Sequence, residues 1–482
     1  MPANYSTTSV TNTAKLLRFF TMTDVHITDK ESPAQAIFFA PFAGSNGISC
    51  YAPLMPYTTQ LLNAAVQTIN HLNKQSRFDF GIALGDMANN TQHNELRWFI
   101  DIMDGQKIIP DSGEKNDPVP DANNDYQDEF QAEGLDHSIP WYAVLGNHDH
   151  FWMGVKPVND KLRQSYTGEN ILQTGNIFSD PDALNKSTFS LGTIDGSTVY
   201  GDIIGSGVVA DMSGIPKVVA DADRRSLTVN EWMNEFSTTT TLPKGHGFAQ
   251  TEGKDKYGAC YSFEPKFDLP LKIIVLNDTE DESDAPGPSL LYGYGSLANL
   301  RYEWLVQQLD AGQADGKLMI IAAHVPIGVA TGTPIGWYNN EDEAAIIKKL
   351  KGYPNLILWL AGHRHVNNIT AMISEDPAHK ENSFWEVETK SLREFPEQFR
   401  IFDIVRNSDN TISIITTNVD PDIKDGSIAD KGRSYAIASE QAYKLDLPLL
   451  PTGSVSYNAE LVKQLTPEMQ KKIATLGTPV KR

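Results

Sequence analysis

Apolar runs alternate along the chain with segments of helical spacing. Residues 16–23 read as a first strand, ending in Asp24-Val25-His26. Residues 58–73 place Leu61, Leu62, Ala65, Ile69 and Leu72 on one helical face. A second strand at 78–84 ends in Gly85-Asp86, and a helix is expected at 94–104. A third strand at 141–145 ends in Gly146-Asn147-His148-Asp149-His150. Further on, 271–277 and 318–323 have the continuous apolar character of buried strands, with an amphipathic helix between them at 297–310. A short strand at 356–360 precedes Gly362-His363-Arg364-His365, and runs at 384–389, 399–405 and 411–416 suggest a closing meander. Strands that alternate with helices in this way predict an α/β layered domain.

Long polar stretches interrupt the pattern. The expected organisation is one domain over residues 1–419 with insertions at about 104–138 and 151–261, followed by a C-terminal extension, 420–482, carrying a helix at 459–476. The second insertion is too long for a bare connection and should hold elements of its own. No repeat with a period between 20 and 50 residues is visible.

Composition narrows the partners. Among 482 residues, 61 Asp+Glu outweigh 40 Lys+Arg, a net charge of −21. Such a surface repels nucleic-acid backbones and anionic membranes, and no apolar run approaches the roughly 18–20 residues of a membrane span. Phosphate binding would therefore need local positive charge, which metal ions can provide. Cys50 and Cys260 cannot make a disulfide framework, though one bridge between them or two free thiols are both compatible with the sequence. The first fifteen residues lack the apolar core of a signal peptide, leaving a cytoplasmic protein or an extracytoplasmic one whose leader has been removed.

The chemistry gathers at strand ends. Six of the eleven histidines (His26, His148, His150, His324, His363 and His365) lie in clusters with Asp and Asn directly after predicted strands. Ligands of open α/β sheets bind beyond the carboxyl ends of strands, and mixed imidazole and carboxylate donors suit Zn, Mn and Fe. Singly, each block has a bland reading: Asp24-Val25-His26 as a capped turn, Gly85-Asp86 as a turn with a helix cap, Asn147 as a turn residue, His324 as a core histidine. Together and in this order, Asp24-x-His26, Gly85-Asp86, Gly146-Asn147-His148-Asp149, His324 and Gly362-His363-x-His365 resemble the calcineurin-like metallophosphoesterase superfamily, over a framework from about residue 16 to 417.

That resemblance implies a four-layer α/β/β/α sandwich of two mixed sheets flanked by helices, and a dinuclear site of Fe, Mn or Zn. Asp24, His26, Asp86 and His365 would hold one ion. Asn147, His324 and His363 would hold the other, with Asp86 bridging and a shared hydroxide as nucleophile. His148 would be the non-ligand histidine that stabilises the transition state or protonates the leaving group, with Asp149 orienting its ring. The implied activity is hydrolysis of a phosphomono- or phosphodiester, small or lipid-derived. The alternative is a non-catalytic scaffold on the same fold, which the complete ligand set disfavours. Purple acid phosphatases start with Asp-x-Gly and carry a tyrosine after the Gly-Asp. This chain has His26 and then Met87-Ala88-Asn89-Asn90, so it is more similar to bacterial phosphodiesterase-like and phosphohydrolase members. Outside the motifs, His150, His246 (between glycines in the long insertion) and Arg393 (in the loop after the strand at 384–389) are candidate substrate contacts, each with a packing or surface alternative.

Overall fold

The computed structural model describes residues 9–35, 52–113, 126, 128–169, 172–173, 188–193, 202–208, 218–250, 258–266, 268–282, 292–297, 300–328, 337, 343–443 and 458–480. In chain order the principal strands are β1 (Asn12–Met22), β2 (Phe80–Ala83), β3 (Trp141–Ala143), β4 (Tyr261–Phe263), β5 (Leu271–Val275), β6 (Leu318–Ala322), β7 (Leu356–Ala361), β8 (Asn368–Met372), β9 (Phe384–Glu388), β10 (Phe399–Asn407), β11 (Ile412–Val419) and β12 (Ala459–Lys463). Among the described residues they form two mixed sheets. One has the order β12-β11-β10-β1-β2-β3, with a short strand Thr478–Pro479 also on β1; the other has the order β8-β9-β7-β6-β5-β4. In the first, β1, β2 and β3 run parallel while β10 to β12 are antiparallel. In the second, β5, β6, β7 and β9 are parallel, with antiparallel edges β4 and β8.

Side-chain alternation makes the layers. Ile273 and Val275 of β5, Ile320 and Ala322 of β6, and Leu358 and Leu360 of β7 share one core with Phe19 and Phe80 of the first sheet. The residues between them, Ile274, Met319, Ile321, Trp359 and Ala361, face away, towards Leu305 and Leu309 of one helix and Ile346 and Leu350 of another. A fully buried strand needs apolar residues on both faces, which is why these runs show no alternation in sequence. Aromatic rings fill the space between the sheets: Phe19 stacks between Phe80 and Phe402 at 4.9 Å from each, and Phe80 meets Phe263 edge-on.

The helices are α1 (Thr58–Gln75), α2 (His93–Met103), α3 (Asp160–Thr167), α4 (Val229–Glu235), α5 (Leu300–Ala314), α6 (Glu343–Leu350), α7 (Ile428–Tyr443) and α8 (Pro467–Ile473). Leu61, Leu62, Ala65 and Ile69 of α1 and Phe99 and Ile100 of α2 pack into the core of the first sheet, while α5 and α6 cover the second.

Two stretches read as additions are woven into this frame. Residues 218–250 send Leu227, Trp232, Met233, Phe236 and Phe248 into the main core and run beside β3, where Trp141 N–H donates to Leu242 O and Ala143 N–H to His246 O. A small three-stranded sheet, Leu172–Gln173, Thr188–Thr193 and Asp202–Val208, accounts for other elements of the long insertion. The helix expected at 459–476 is instead β12, paired antiparallel with β11, followed by the shorter α8. The apolar positions Leu461, Val462, Leu465, Met469 and Ile473 fit a helix in sequence, but the free edge of β11 takes the first of them as a strand. Cys260 is buried and unbridged, and Cys50 falls outside the described residues.

Candidate metal centre

All five polar blocks meet at one rim, beyond the carboxyl ends of β1, β2, β3, β6 and β7. The β1–β2 ladder continues past both strands: Asp24 N–H donates to Gly85 O, His26 N–H to Asp86 O and Ile27 N–H to Met87 O. Chain segments that would otherwise splay are thus held side by side. The second sheet is tied in by His363 N–H donating to Asp24 Oδ2 at 2.9 Å, and by His324 Nδ1 against Leu84 O at 2.8 Å.

Five of these residues sit in the left-handed backbone region: Asp24 (φ 51°), His26 (47°), Asp86 (52°), His363 (68°) and His365 (53°). Non-glycine residues seldom adopt it, and such strain concentrates where side chains must be aimed at a ligand. The motif glycines have a steric reason. A Cβ on Gly146 would lie 2.2 Å from Asp86 Oδ1, and one on Gly362 would lie 2.5 Å from Asp24 Oδ2.

The ligand-type atoms converge in two groups that share Asp86. His365 Nε2 lies 3.1 Å from Asp24 Oδ1 and 3.2 Å from His26 Nε2. Asn147 Oδ1 lies 2.9 Å from His324 Nε2 and 3.1 Å from His363 Nδ1. Between them, Asp86 Oδ2 is 3.7 Å from His26 Nε2 and 3.3 Å from His324 Nε2. Asp24, His26, Asp86 and His324 are buried, and the open side of the rim is at His363, Arg364, His365 and Val366.

This donor set fits cations. Lone-pair atoms face one another across gaps with too few protons to bridge them all, and the buried Nδ1 of His26 and Nε2 of His363 have no hydrogen-bond partner. Asp24, His26 and His365, and separately Asp24, Asp86 and His324, each bring ligand atoms within 4.8 Å of one another. His26, Asp86 and His148 do so as well, so His148 is within ligand reach by distance alone. The protonation pattern shows the same crowding. Burial works against charge on His324, but the Asp86 carboxylate overrides it and pushes the ring up to about 10. His365 is likewise pushed up to about 9, with Glu394 and Asp24 outweighing burial. Burial and the neighbouring His324 push His363 down to about 3. Protons on His324 and His365 thus stand where positive charge is wanted, and a metal ion displaces such protons on binding.

His148 is buried beside this cluster, its ring edge-on to His26 at 4.6 Å. Its Nδ1 meets the backbone carbonyl of Asn89 at 2.6 Å. That carbonyl corrects the role expected for Asp149. The Asp149 carboxylate makes no bond to the ring; it accepts the backbone N–H groups of Asp86, Met87, Ala88 and Gly146 and staples the β2 and β3 loops together. With its oxygens taken by amides, it positions Asp86 and leaves ring orientation to Asn89.

The substrate candidates have different fates. His150 is buried, with Nε2 on Thr279 Oγ1 at 2.9 Å, and burial pushes it down to about 3. His246 lies at the other end of β3: it stacks on Trp141 at 3.6 Å and spends both ring nitrogens on Trp141 O and Thr239 Oγ1, so it is a core histidine. Arg393 is fully buried and donates from Nη1 to Asn89 Oδ1 at 3.0 Å, close enough to the centre to work against charge on His26 and His148. Arg364 pairs with Glu388. Glu280 is buried and accepts Tyr294 N–H. Asn89 and Glu394 were not singled out in the sequence. A main-chain acceptor leaves no trace there, and Glu394 stands beside Arg393, the one residue of that loop picked out by sequence.

The family profile for calcineurin-like phosphoesterases matches residues 17–276, more than half of the chain. The chain belongs to that family. It is a metal-dependent phosphoester hydrolase. The matched span holds the first three blocks; His324, His363 and His365 lie beyond it and join them through the geometry above. A crystal structure of a dimetal phosphatase from Danio rerio is similar to this calcineurin-like phosphoesterase at 13% identity and a TM-score of 0.43, covering 84% of this chain and 96% of that one. No curated protein matches the chain.

Proposed function

We propose that this phosphoesterase binds two transition-metal ions, of the Fe, Mn or Zn type, that share Asp86, and that it hydrolyses a small or lipid-derived phosphomono- or phosphodiester by in-line attack of water. Asp24, His26, Asp86 and His365 hold one ion; Asp86, Asn147, His324 and His363 hold the other. The observation that carries this reading is Asp86 Oδ2, poised between His26 Nε2 and His324 Nε2. Two cations bound there supply a lowered pKa for water and positive charge against the phosphoryl oxygens. The remaining work falls to the chain. Asp149 fixes the Asp86 loop through backbone amides, and His148 N–H, donating to Asp86 Oδ1, holds the shared carboxylate itself. His148 donates its Nδ1 proton in a hydrogen bond to Asn89 O, which leaves Nε2 free to take a proton from the attacking water and, so protonated, to hydrogen-bond a phosphoryl oxygen or hand that proton to the departing alkoxide.

The test is reconstitution of metal-free protein with Mn²⁺, Fe²⁺ or Zn²⁺, followed by a panel of phosphomonoesters and phosphodiesters. Two ions per chain and turnover of at least one ester class are expected. Asp86→Ala should lose both ions and all turnover, whereas Asn147→Ala should weaken one ion only. Full metal content in Asp86→Ala, or a reconstituted protein inert to every ester, overturns the reading.

A further inference from the structure

With His363, His365 stands at the open rim: its side chain is 16% exposed, against 0% for His26 and His324. Packing alone therefore holds it less firmly. Its Nδ1 meets Glu394 Oε1 at 2.6 Å, while Nε2 points at Asp24 Oδ1 and His26 Nε2. The Glu394 carboxylate fixes the plane of the ring from the Nδ1 side and so aims Nε2 into the first metal group, where an ion would displace the Nε2 proton. The other rings have weaker anchors: His324 has the Leu84 carbonyl, His148 has the Asn89 carbonyl, and His26 Nδ1 has no hydrogen bond.

Glu394 is itself well held. Its side chain is 6% exposed, with Arg393 Nη2 at 3.5 Å. Its carbonyl accepts Glu397 N–H at 2.6 Å, closing a turn. The loop that carries it is fastened to the Asp24 segment by Ser391 Oγ–H donating to Asp24 O and by Leu392 N–H donating to Thr23 O. The same short loop thus fixes the backbone of one ligand and the ring of another. A carboxylate on the far nitrogen of a metal-bound histidine fixes its tautomer and makes it a stronger donor, and losing such a partner typically costs about 10–100-fold in metal affinity.

We propose that Glu394 is a positioning residue for the first metal site, acting through His365 to orient the ring so that Nε2 faces the ion. The inference rests on the two-metal reading above. Its test is calorimetric titration of Mn²⁺ into the metal-free full chain, comparing wild type, Glu394→Ala, Glu394→Gln and His365→Ala with and without Glu394→Ala. Wild type should show two binding events. Glu394→Ala should weaken one of them about 10–100-fold and leave the other within twofold. Glu394→Gln, which keeps an oxygen acceptor without the charge, should fall between, and it serves alone if the alanine variant does not fold. In the His365→Ala background, removing Glu394 should cost nothing more. Unchanged affinities in both Glu394 variants overturn the inference, as does an equal loss at both events with a lowered thermal midpoint of the metal-free protein, or a full further loss without His365. A wild-type protein that takes up fewer than two ions overturns the two-metal reading as well, which separates the two failures.

Discussion

His148 lies within ligand reach of the cluster, and the role proposed for it is a separate one. Its Nδ1 is committed to Asn89 O, and burial, the leading influence on the ring, favours the neutral form. General acid–base groups contribute about 10²–10⁴-fold, so His148→Ala should lower turnover by that order while leaving metal content unchanged. A larger loss on alkyl esters than on nitrophenyl esters marks leaving-group protonation; an equal loss marks phosphoryl stabilisation. Loss of a metal ion in this variant would make His148 a ligand. Glu397 supplies a different test. It is 1% exposed, its Oε2 has no hydrogen bond, and burial pushes its carboxyl up to about 8 from an ordinary value of 4.5, with Arg433 opposing and Asp420 adding to it. Between those values the native state keeps a proton that the unfolded chain has released, so stability falls as pH rises through the window. Glu397→Gln should remove that slope and gain on wild type by about 2–4 kcal/mol between pH 5 and pH 8, read from urea midpoints. An identical pH dependence in the two proteins would contradict the protonated assignment. At this scale the convergence of Asp24, His26, Asp86 and Asn147 was legible in the sequence, because each stands in a polar block at a strand end. Asp149 was misread because its neighbour in the chain is His148, whereas its neighbours in space are amides.

The elements matter through their ends. Each parallel strand at the rim stops one to three residues before a polar block, and the loops that follow are packed to contact. Gly154 is one example: it has φ 71°, and a Cβ there would lie 2.4 Å from His148 Nε2 and 2.5 Å from Asn147 Nδ2. Gly154→Ala should therefore displace both side chains. Because a shift of about 1 Å at a reacting centre can cost on the order of 10²-fold, kcat should drop to that degree while the thermal midpoint falls only slightly. Normal kcat would mean that the loop is free to back away. Strands with apolar residues on both faces, such as β5, β6 and β7, could be read from sequence with little error. The stretch at 459–476 could not, because its apolar spacing suits a helix and the vacancy beside β11 that recruits it as a strand is a property of the folded sheet.

For the molecule as a whole, the centre is a joint between two sheets. Removing bound metal leaves buried carboxylates and imidazoles facing one another across that joint. Anything that binds only the native state stabilises it by mass action, so chelation should lower the thermal midpoint, and re-addition of Mn²⁺ or Zn²⁺ should restore it. An unchanged midpoint would mean that the sheets hold the site without help. The pairing of β1 with β10, in which Arg18 stands opposite Asp403, bears on time rather than on stability. The strand that delivers Asp24 and His26 acquires that neighbour only after nearly the whole chain has been made or has collapsed. Contacts so distant along the chain slow folding, since loop closure must precede any gain from pairing. During refolding from urea, far-ultraviolet ellipticity should return early, from helices such as α1 and α5. Competence to bind metal should lag behind it, arriving with the slowest phase, when the last strands find the first.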